Sequence, residues 1–570
     1  IAPAFGEDDA RVGRKYNLPF VQLVDAQGCL TEETKWPGVF VKDADKLVLA
    51  DLRERRLLIK APKFEHDYPF CWRCDTPLIY YARQSWFIKM TAVHDALMRN
   101  NRAVNWMPEN IKEGRMGNFL DNVIDWGLSR ERYWGTPLPV WTCKCGHVHV
   151  IGSREELVKL GRNVDPNIEL HRPYIDNVVL TCPKCGGAAK RETDTMDTFV
   201  DSSWYFQRYC SPDCSTAMVD KRADYWMPMD QYIGGIEHAV LHLLYARFWT
   251  KVMRDLGLVK YDEPFKNLFT QGMLMADCYY RNGDDGRKVW FYPDEVEVQY
   301  DEKGRPVGAV CKADGQPVTL GGIEKMSKSK NNVVEPREII KKFGADTARS
   351  FVMFAGPPDQ SAAWSNSGAE GTYRFLRRIW NWAFAKKNLI ASAGAFEGQM
   401  LPHDAKTLRR EVHTTLRQAE YDFSRMQYNT VVSACMKMFN TIEGFKGETP
   451  ADLADLCECA SILLRTLYPI APHITTALWQ ELGFVERIGD LIDAPWPEVS
   501  EDAIKADELK LVVQVNGKLR GEILVPAEAA QAEIEAAALA NPDVQRFTEG
   551  MTVRKIIIVK NKLVNVVVAK

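Results

Sequence analysis

One stretch of this sequence decides how the rest is interpreted: Lys325-Met326-Ser327-Lys328-Ser329, followed by Lys330, Asn331 and Asn332. We call residues 325–330 the lysine loop. Lysine is a compact cation with three donors on a flexible stem, so two lysines on a short loop can neutralise charge on a polyphosphate. Ser and Asn side chains compete for backbone hydrogen bonds and favour a turn over a continuing helix. A solvated surface loop has the same composition, so its meaning depends on the surrounding sequence.

The sequence before the lysine loop predicts a nucleotide pocket. Residues 231–238 read QYIGGIEH, and a strongly apolar helix is predicted from Ala239 to Leu256. A strand, a Gly-Gly turn and a helix start form a pocket for phosphate or ribose. His242 lies one helical turn further on the same face, and the alternative interpretation is that it is a core histidine. The candidate nucleotide-binding residues are Gly234, Gly235, Glu237, His238 and His242.

Two cysteine pairs, each followed by glycine, predict a metal site. Four thiolates suit a closed, tetrahedral structural zinc site, and the glycines let backbone amides face the sulfurs. A redox pair is the alternative, and His147 and His149 are alternative ligands. A third pair, Cys71 and Cys74, is only half a zinc site, and a metal there is left open. The predicted zinc ligands are Cys143, Cys145, Cys182 and Cys185.

Composition indicates a soluble globular protein, because 46% of the residues are apolar and 26% are charged. The formal net charge is -3, so a polyanion would have to meet local basic patches. We find no run of 18 apolar residues and no leader, and we expect a cytoplasmic protein whose 14 cysteines are reduced. Because Ile1-Ala2-Pro3 does not look like a natural start, we expect the chain to begin inside a larger protein.

Two acidic clusters are further candidate ligand sites, and each also has a purely structural explanation. Asp8 or Asp9 could cap a helix, or a carboxylate there could hold an ammonium group or a water. Asp194, Asp197 and Asp201 are spaced for one helical face or a turn, which could suit a divalent cation. Hydroxyl-rich turns carry such acids routinely.

Hydrophobic periodicity and turn residues predict the element order. Predicted strands are Val39–Val41, Leu57–Ile59 and a buried Gln84–Ile88, and a helix is predicted from Asp43 to Arg55. A small β-unit is predicted at 279–322, a helix start at Glu335-Pro336, and helices of period 3.6 from 371 to about 500. In the last segment we predict strands joined by an Asn516-Gly517 hairpin turn, with one helix around 527–539. The C-terminal tail has a basic face that is either solvated or contacts RNA, formed by Arg554, Lys555, Lys560, Lys562 and Lys570.

These motifs resemble the class I aminoacyl-tRNA synthetases, in the subgroup for large hydrophobic amino acids. From about Arg191 onward the chain resembles leucyl-tRNA synthetases, in RETDTMDTFVDSSWY, YIGGIEHAVLHLLYARF, MSKSKNN, WSNSGAEGTYRFLRRIW and VQVNGKLRG. Before about Lys190 it is more similar to isoleucyl-tRNA synthetases, in APAFGEDD, YPFCWRCDTPLIYYARQSWF, NWMPENIKEGRMGNFLDN and RYWGTPLPVW. A mosaic and an unusual lineage between the two both fit this pattern.

The resemblance implies an α/β fold with the second half of a Rossmann-type catalytic domain. The implied domains are an editing-domain tail (1–75), part of the catalytic domain (76–140), a zinc ribbon (141–190), the second catalytic half with its insert (191–370), a helical anticodon-binding bundle (371–506) and a small α+β tRNA-binding domain (507–570).

The resemblance also implies an activity, namely ATP-dependent activation of leucine, with Mg2+, and transfer of leucine to tRNA(Leu). In the KMSKS motif, which comprises Lys325, Met326, Ser327, Lys328 and Ser329, Lys328 matches the ATP-contacting lysine and Lys325 supports it. Asp9 matches the editing carboxylate that grips an ammonium group. The implied partners are tRNA, leucine and ATP, with Zn2+ as structural metal, no membrane and a monomeric state.

One motif of the resemblance is missing from this sequence. The family's His-x-Gly-His signature is not found in the 570 residues, which puts adenylation by this chain alone in doubt. The alternatives are an isoleucine--tRNA ligase, or a non-catalytic fragment that binds tRNA.

Overall fold

The computed structural model describes residues 2–71, 76–284, 286–505, 508–527, 529–559 and 562–569. Cys74 of the third cysteine pair, and Lys560 and Lys570 of the basic C-terminal tail, lie outside these residues. The chain forms two compact units. The first unit comprises Ile1–Asn100, Asn118–Tyr225 and Leu244–Asp262, and the second unit comprises Asn101–Gly117, Trp226–Leu243 and Glu263–Lys570.

The chain contains both strands and α-helices, and long runs of each follow one another in sequence. The strands are β1 Phe87–Ile88, β2 Asn105–Met107, β3 Trp126–Gly127, β4 Ser129–Arg130, β5 Val140–Cys143, β6 Val148–Val150, β7 Val179–Thr181, β8 Ala188–Arg191, β9 Thr195–Met196, β10 Tyr232–Gly235, β11 Asn267–Gln271, β12 Leu274–Asn282, β13 Lys288–Phe291, β14 Val296–Tyr300, β15 Pro306–Cys311, β16 Pro317–Lys325, β17 Ala362–Ala363, β18 Glu508–Val515, β19 Lys518–Pro526, β20 Thr552–Val559 and β21 Leu563–Ala569. The α-helices are α1 Glu7–Lys15, α2 Val41–Glu54, α3 His94–Ala103, α4 Asn118–Asp121, α5 Arg154–Leu160, α6 Phe199–Ser202, α7 Tyr205–Arg208, α8 Lys221–Trp226, α9 Leu241–Asp255, α10 Pro336–Phe343, α11 Ala345–Phe354, α12 Asn366–Ser392, α13 His403–Ser424, α14 Tyr428–Gly444, α15 Pro450–Leu467, α16 Pro472–Glu481, α17 Val485–Ile488, α18 Glu501–Ile504, α19 Gln531–Ala540 and α20 Pro542–Thr548.

The first unit carries a four-stranded antiparallel sheet in the order β6-β5-β8-β7, which presents the two predicted zinc-binding cysteine pairs. Trp141 and Leu180 are buried in its small core, where α5 packs through Leu157. The Trp141 indole donates to the Val178 carbonyl at 2.8 Å, so the ring is both packed and hydrogen-bonded.

Some short strands predicted in the first unit are wrong. Val41 begins α2, and Phe40 forms only an isolated bridge with Cys29, so 39–41 is no strand. Residues 57–59 lie in irregular chain, and Ile59 is fully exposed. Only Phe87–Ile88 of the predicted buried strand forms one, and Phe87 is exposed. Short apolar runs carry no periodicity that separates a strand from a loop.

The second unit contains a three-stranded parallel sheet in the order β10-β11-β2. Its register pairs Tyr232 with Leu268 and Leu268 with Trp106. Leu268 and Phe269 of the central strand are buried. Parallel strands place their carboxyl ends at one edge, which is where open α/β sheets bind ligands.

The segment before the lysine loop is a β-unit, with strand order β13-β12-β16-β15-β14 and β17 added beside β12. Tyr279, Val296 and Cys311 are buried in its core. The last strand, β16, runs directly into the lysine loop, so the β-unit and the loop share one backbone support.

Helices α12–α16 pack around one apolar core that includes Leu416, Phe439, Leu463 and Trp479. Each fully buried leucine contributes about 1.5–3 kcal/mol, so this core stabilises the bundle far more than helix propensity does. No helix in the described part of the chain is long and apolar enough to span a membrane.

The C-terminal segment forms a sheet in the order β19-β18-β21-β20 with α19 and α20 against one face. Asn516 and Gly517 both have positive φ in the hairpin, as the predicted Asn-Gly turn requires. The predicted helix begins four residues later, at Gln531, because the Glu533 carboxylate caps the Ala530 amide at 2.9 Å.

Candidate functional site

The predicted nucleotide turn lies at the carboxyl end of β10. The strand ends at Gly235, and a 3-10 turn from Ile236 to Ala239 leads toward α9. A Cβ at Gly235 would meet the Glu237 carboxylate, while the space around Gly234 is open. The two glycines therefore allow the backbone to turn tightly beside an exposed carboxylate and leave room for a ligand to approach.

The lysine loop begins where β16 ends. Lys325 is the last residue of the strand, and Lys328–Lys330 form one short 3-10 turn. The Ser327 hydroxyl accepts from the Ser329 amide at 3.2 Å, and Asn331 has a φ of 53°. Ser and Asn stabilise the turn by local hydrogen bonds, as the sequence predicts.

The structure brings the lysine loop beside the nucleotide turn. Lys325 Nζ lies 3.7 Å from Glu237 Oε1, although the two residues are far apart in sequence. Glu237's own backbone amide lowers the pKa of its carboxyl, and Lys325 lowers it further. Both side chains are substantially exposed, so this ion pair is worth well under 1 kcal/mol and can open when a polyanion arrives.

Lys328 is exposed, and within the described residues its ammonium forms no ion pair. Lys330 is different, because its ammonium is paired with the Glu324 carboxylate and lies 5.4 Å from the centre of the Trp290 ring. Two of the three loop lysines, Lys325 and Lys328, therefore remain available for a ligand phosphate.

The two histidines of the predicted pocket differ in exposure. His238 is exposed on the 3-10 turn, whereas His242 is 8% exposed. The Tyr232 hydroxyl lies 2.7 Å from His242 Nε2, and burial lowers the pKa of the imidazole, with the nearby His238 charge as a smaller cause. Packing against Tyr232 agrees with the core alternative for His242, and its contact with a nucleotide stays a prediction.

The four predicted zinc ligands converge in the first unit. The Sγ atoms of Cys143, Cys145, Cys182 and Cys185 all lie within 4.8 Å of one another. Cys143 and Cys185 are 3.5 Å apart, and Cys145 and Cys182 are 3.8 Å apart. Tetrahedral ligands at a Zn–S distance of about 2.3 Å are separated by about 3.8 Å, so the cluster fits a zinc ion.

The electrostatics of the cluster also fit a cation. Burial raises the pKa of the Cys182 thiol, but the amides of Cys185 and Lys184 outweigh burial and lower it to about 7. The Gly187 amide lowers the pKa of Cys185, but neighbouring thiols outweigh it and raise that pKa to about 12. Four sulfurs this close repel further negative charge unless a cation is shared between them.

The knuckle backbone is formed by glycines. Gly146 and Gly186 have φ of 81° and 71°, in the left-handed region, and each donates back to the first cysteine of its pair. The predicted alternative ligand His149 instead contacts Glu156, with Nε2 3.0 Å from Oε1. Elsewhere in the described residues, no group of three His, Cys, Asp or Glu converges in this way.

The acidic candidates Asp194, Asp197 and Asp201 do not form one site, and the suggested divalent cation has no cluster here. Each has its own partner: Arg83 for Asp194 at 3.0 Å, Arg130 for Asp197 at 2.7 Å and Thr136 for Asp201 at 2.8 Å. Each contact joins the aspartate to a residue distant in sequence, so the three carboxylates have separate structural roles.

Asp8 and Asp9 lie inside the first turn of α1, whose N-cap is Gly6, so neither aspartate is the cap residue. Asp9 accepts a hydrogen bond from the Ala2 amide at 3.1 Å. Acidic residues here favour the helix through its dipole. The editing role of Asp9 stays a prediction.

Sequence reasoning missed two residues that shape the candidate site. Tyr232 packs on Phe265 with ring centroids 4.7 Å apart and contacts His242. Asn332 is fully buried beneath the lysine loop. The only sequence signal for Asn332 is that it closely follows the motif, because burial of a polar side chain depends on tertiary packing.

Comparison with known families identifies the class of protein. Residues 20–289 and 315–365 match the family model for class I tRNA synthetases (I, L, M and V), and residues 405–536 match the anticodon-binding domain of tRNA ligases. The first match covers more than half of the chain. The chain belongs to the class I tRNA synthetases of this subgroup.

Among individual proteins, the chain is similar to leucine--tRNA ligases. The chain is 59% identical over 460 residues to the leucine--tRNA ligase of Methylibium petroleiphilum, covering 78% of this chain and 51% of the relative. It is 48% identical over 571 residues to that of Burkholderia pseudomallei (strain 1710b), covering 99% of this chain and 61% of the relative. The chain thus spans about half to three-fifths of these relatives.

A solved structure shows the same similarity in three dimensions. The Agrobacterium radiobacter K84 agnB2 LeuRS, in ternary complex with tRNA and LeuAMS, matches with a TM-score of 0.57 and 30% sequence identity. The match covers 79% of this chain and 52% of that chain.

Proposed function

We propose that the chain is part of an ATP-dependent ligase that activates leucine and transfers it to tRNA. The observation that carries this proposal is the placement of Lys325 beside Glu237, which joins the lysine loop to the Gly234-Gly235 turn at the carboxyl edge of a parallel sheet. Relatives named leucine--tRNA ligase support the choice of leucine.

In this function Lys328 meets the ATP phosphates and stabilises the charge that develops as pyrophosphate leaves. Such in-line chemistry depends on positioning and charge stabilisation rather than on covalent catalysis. Mg2+ would accompany ATP. Gly234, Gly235, Glu237 and His238 line the nucleotide side of the site.

The remaining domain assignments keep the roles implied by the sequence. Cys143, Cys145, Cys182 and Cys185 would hold a structural zinc that ties β5 to the β7–β8 turn. The helical bundle and the C-terminal sheet would contact tRNA, and 1–75 would contribute Asp9 to editing. The solved relative bound to tRNA and LeuAMS supports tRNA and a leucyl-adenylate-like ligand as partners.

Pyrophosphate exchange, first with leucine and then with isoleucine, tests the proposal. Leucine-dependent incorporation of labelled pyrophosphate into ATP is the expected result. Exchange with isoleucine alone would overturn the leucine assignment.

A second candidate function is tRNA binding without catalysis. It is the non-catalytic alternative that the resemblance leaves open, since the His-x-Gly-His part of the implied ATP site is not found in the 570 residues. Tight tRNA binding without exchange with either amino acid would favour this candidate. The isoleucyl-like first third stays a proposal beside it, although a leucine--tRNA ligase matches 99% of the chain.

A further inference from the structure

The lysine loop is held by a buried amide that the motif itself does not include. Asn332 is 0% exposed, and its Oδ1 accepts a hydrogen bond from the Ser327 amide at 2.8 Å. That amide lies between the two lysines that remain available, so the bond fixes the backbone from which both side chains extend.

The other side of the same amide is bonded to the supporting sheet. Asn332 Nδ2 donates to the carbonyls of Ala276 at 3.2 Å, Lys325 at 3.4 Å and Glu324 at 3.5 Å. Ala276 is opposite Glu324 in the β12–β16 ladder. Asn332 therefore connects the loop to the end of this ladder, and a buried amide with both halves satisfied strongly specifies one conformation.

The neighbouring residues anchor the loop to the inserted β-unit. Asn331 Nδ2 donates to the Trp290 carbonyl of β13 at 2.9 Å, and the Lys330 ammonium lies over the Trp290 ring while paired with Glu324. Lys330 thus helps to hold the loop in place, and its positive charge is compensated by the Glu324 carboxylate.

We infer that Asn332 is a positioning residue: it clamps the lysine loop to the β12–β16 ladder so that Lys325 and Lys328, and not Lys330, face the phosphates of ATP. This rests on the proposed function, since it assigns the phosphate contact to the same site. Because the Asn332 side chain is buried, it would set the geometry of the loop without contacting the substrate itself.

Two measurements on the chain test this inference. In Asn332→Ala, hydrogen exchange at the Ser327 amide should accelerate at least tenfold, while amides of the β10-β11-β2 sheet keep wild-type rates. ATP affinity, titrated by calorimetry, should fall about tenfold. Asn332→Asp keeps an acceptor but places a carboxylate against three carbonyls, so it should loosen the loop as well.

The matched control is Asn331→Gly at the adjacent asparagine. Glycine accepts the positive φ of this position, so only the Trp290 contact is lost, and the Ser327 amide should stay protected. Unchanged exchange at Ser327 in Asn332→Ala would overturn the clamp. A loosened loop with wild-type ATP affinity would overturn its role in positioning the lysines.

The same experiment separates this inference from the proposed function. If the wild-type chain fails to bind ATP, the phosphate role of the loop is overturned together with the proposed function. The rate of hydrogen exchange at the Ser327 amide then still shows whether Asn332 holds the loop in place.

Discussion

At the residue scale, the proposed transition-state role belongs to Lys328, the loop lysine whose ammonium forms no ion pair within the described residues. Under the proposed function, Lys328 neutralises charge that develops only in the transition state. Lys328→Ala should then lower kcat for pyrophosphate exchange at least 100-fold and weaken leucine binding less than threefold. Steady-state exchange kinetics and leucine titration measure the two effects.

Lys341→Ala is the matched control for this prediction. Lys341 is exposed in the last turn of α10. Its replacement by alanine therefore removes the same charge without changing the lysine loop. Equal losses in kcat and in leucine affinity for Lys328→Ala would contradict a transition-state role.

A buried acid in the helical bundle gives a prediction about pH. Asp455 is fully buried, and within the described residues its carboxylate has no hydrogen-bond partner. Burial and the neighbouring Glu458 raise the pKa of Asp455 to about 8 despite Arg409 nearby. The unfolded chain releases this proton near pH 4 and the folded chain only near pH 8, so the free energy of unfolding falls as pH rises between these values.

Asp455→Asn should therefore stabilise the protein at pH 8 and change little at pH 4, because the neutral amide removes the cost of ionisation. Urea unfolding midpoints at the two pH values measure this. Glu448→Gln, at an exposed loop carboxyl, is the control and should shift neither midpoint. A lower midpoint for Asp455→Asn at pH 8 would show that the carboxylate is favourably paired.

At the element scale, the four clustered cysteines lie on β5 and its following turn and on the turn between β7 and β8, so the proposed zinc would connect strands of the small sheet. A core with few buried residues gains much of its stability from a bound metal. With Co2+ in place of zinc, the chain should show the visible absorption of a tetrahedral thiolate site, and Cys182→Ser should weaken it and lower the Tm of the metal-loaded protein.

Cys214→Ser is the control for the cobalt experiment. Cys214 is a partly exposed thiol whose Sγ contacts Thr216 Oγ1 at 3.8 Å, outside the cluster. A cobalt spectrum unchanged by Cys182→Ser would contradict the four-sulfur site.

The elements also show where sequence reasoning works. Long periodic helices, the Asn516-Gly517 hairpin and the Pro336 helix start agree with the structure, because local signals set them. Short apolar runs such as 57–59 were wrongly predicted as strands, since a strand needs a partner that lies elsewhere in the chain.

At the scale of the whole molecule, the charge balance limits how RNA can bind. The net charge is only -3, so tRNA affinity would come from local cations and would fall steeply with salt. Arg554 and Lys555 are exposed on β20. Replacing both by alanine should reduce the slope of log K against log[salt] by about 0.7–0.9 per lost phosphate contact.

The control for this prediction replaces Lys159 and Lys303 by alanine, which removes the same total charge from exposed positions elsewhere. Filter binding of tRNA between low and physiological salt gives both slopes. Equal slopes for the two double variants would show that β20 makes no phosphate contact.

The sequence alone is enough to identify the candidate residues of the nucleotide site and of the zinc site. The KMSKS motif, the Gly-Gly turn and the four cysteines can be identified without coordinates, because their chemistry depends on local spacing. Only the tertiary structure placed Lys325 beside Glu237, compensated Lys330 with Glu324 and buried Asn332 beneath the loop. These depend on contacts between segments distant in sequence, and burial and long-range pairing leave no local pattern.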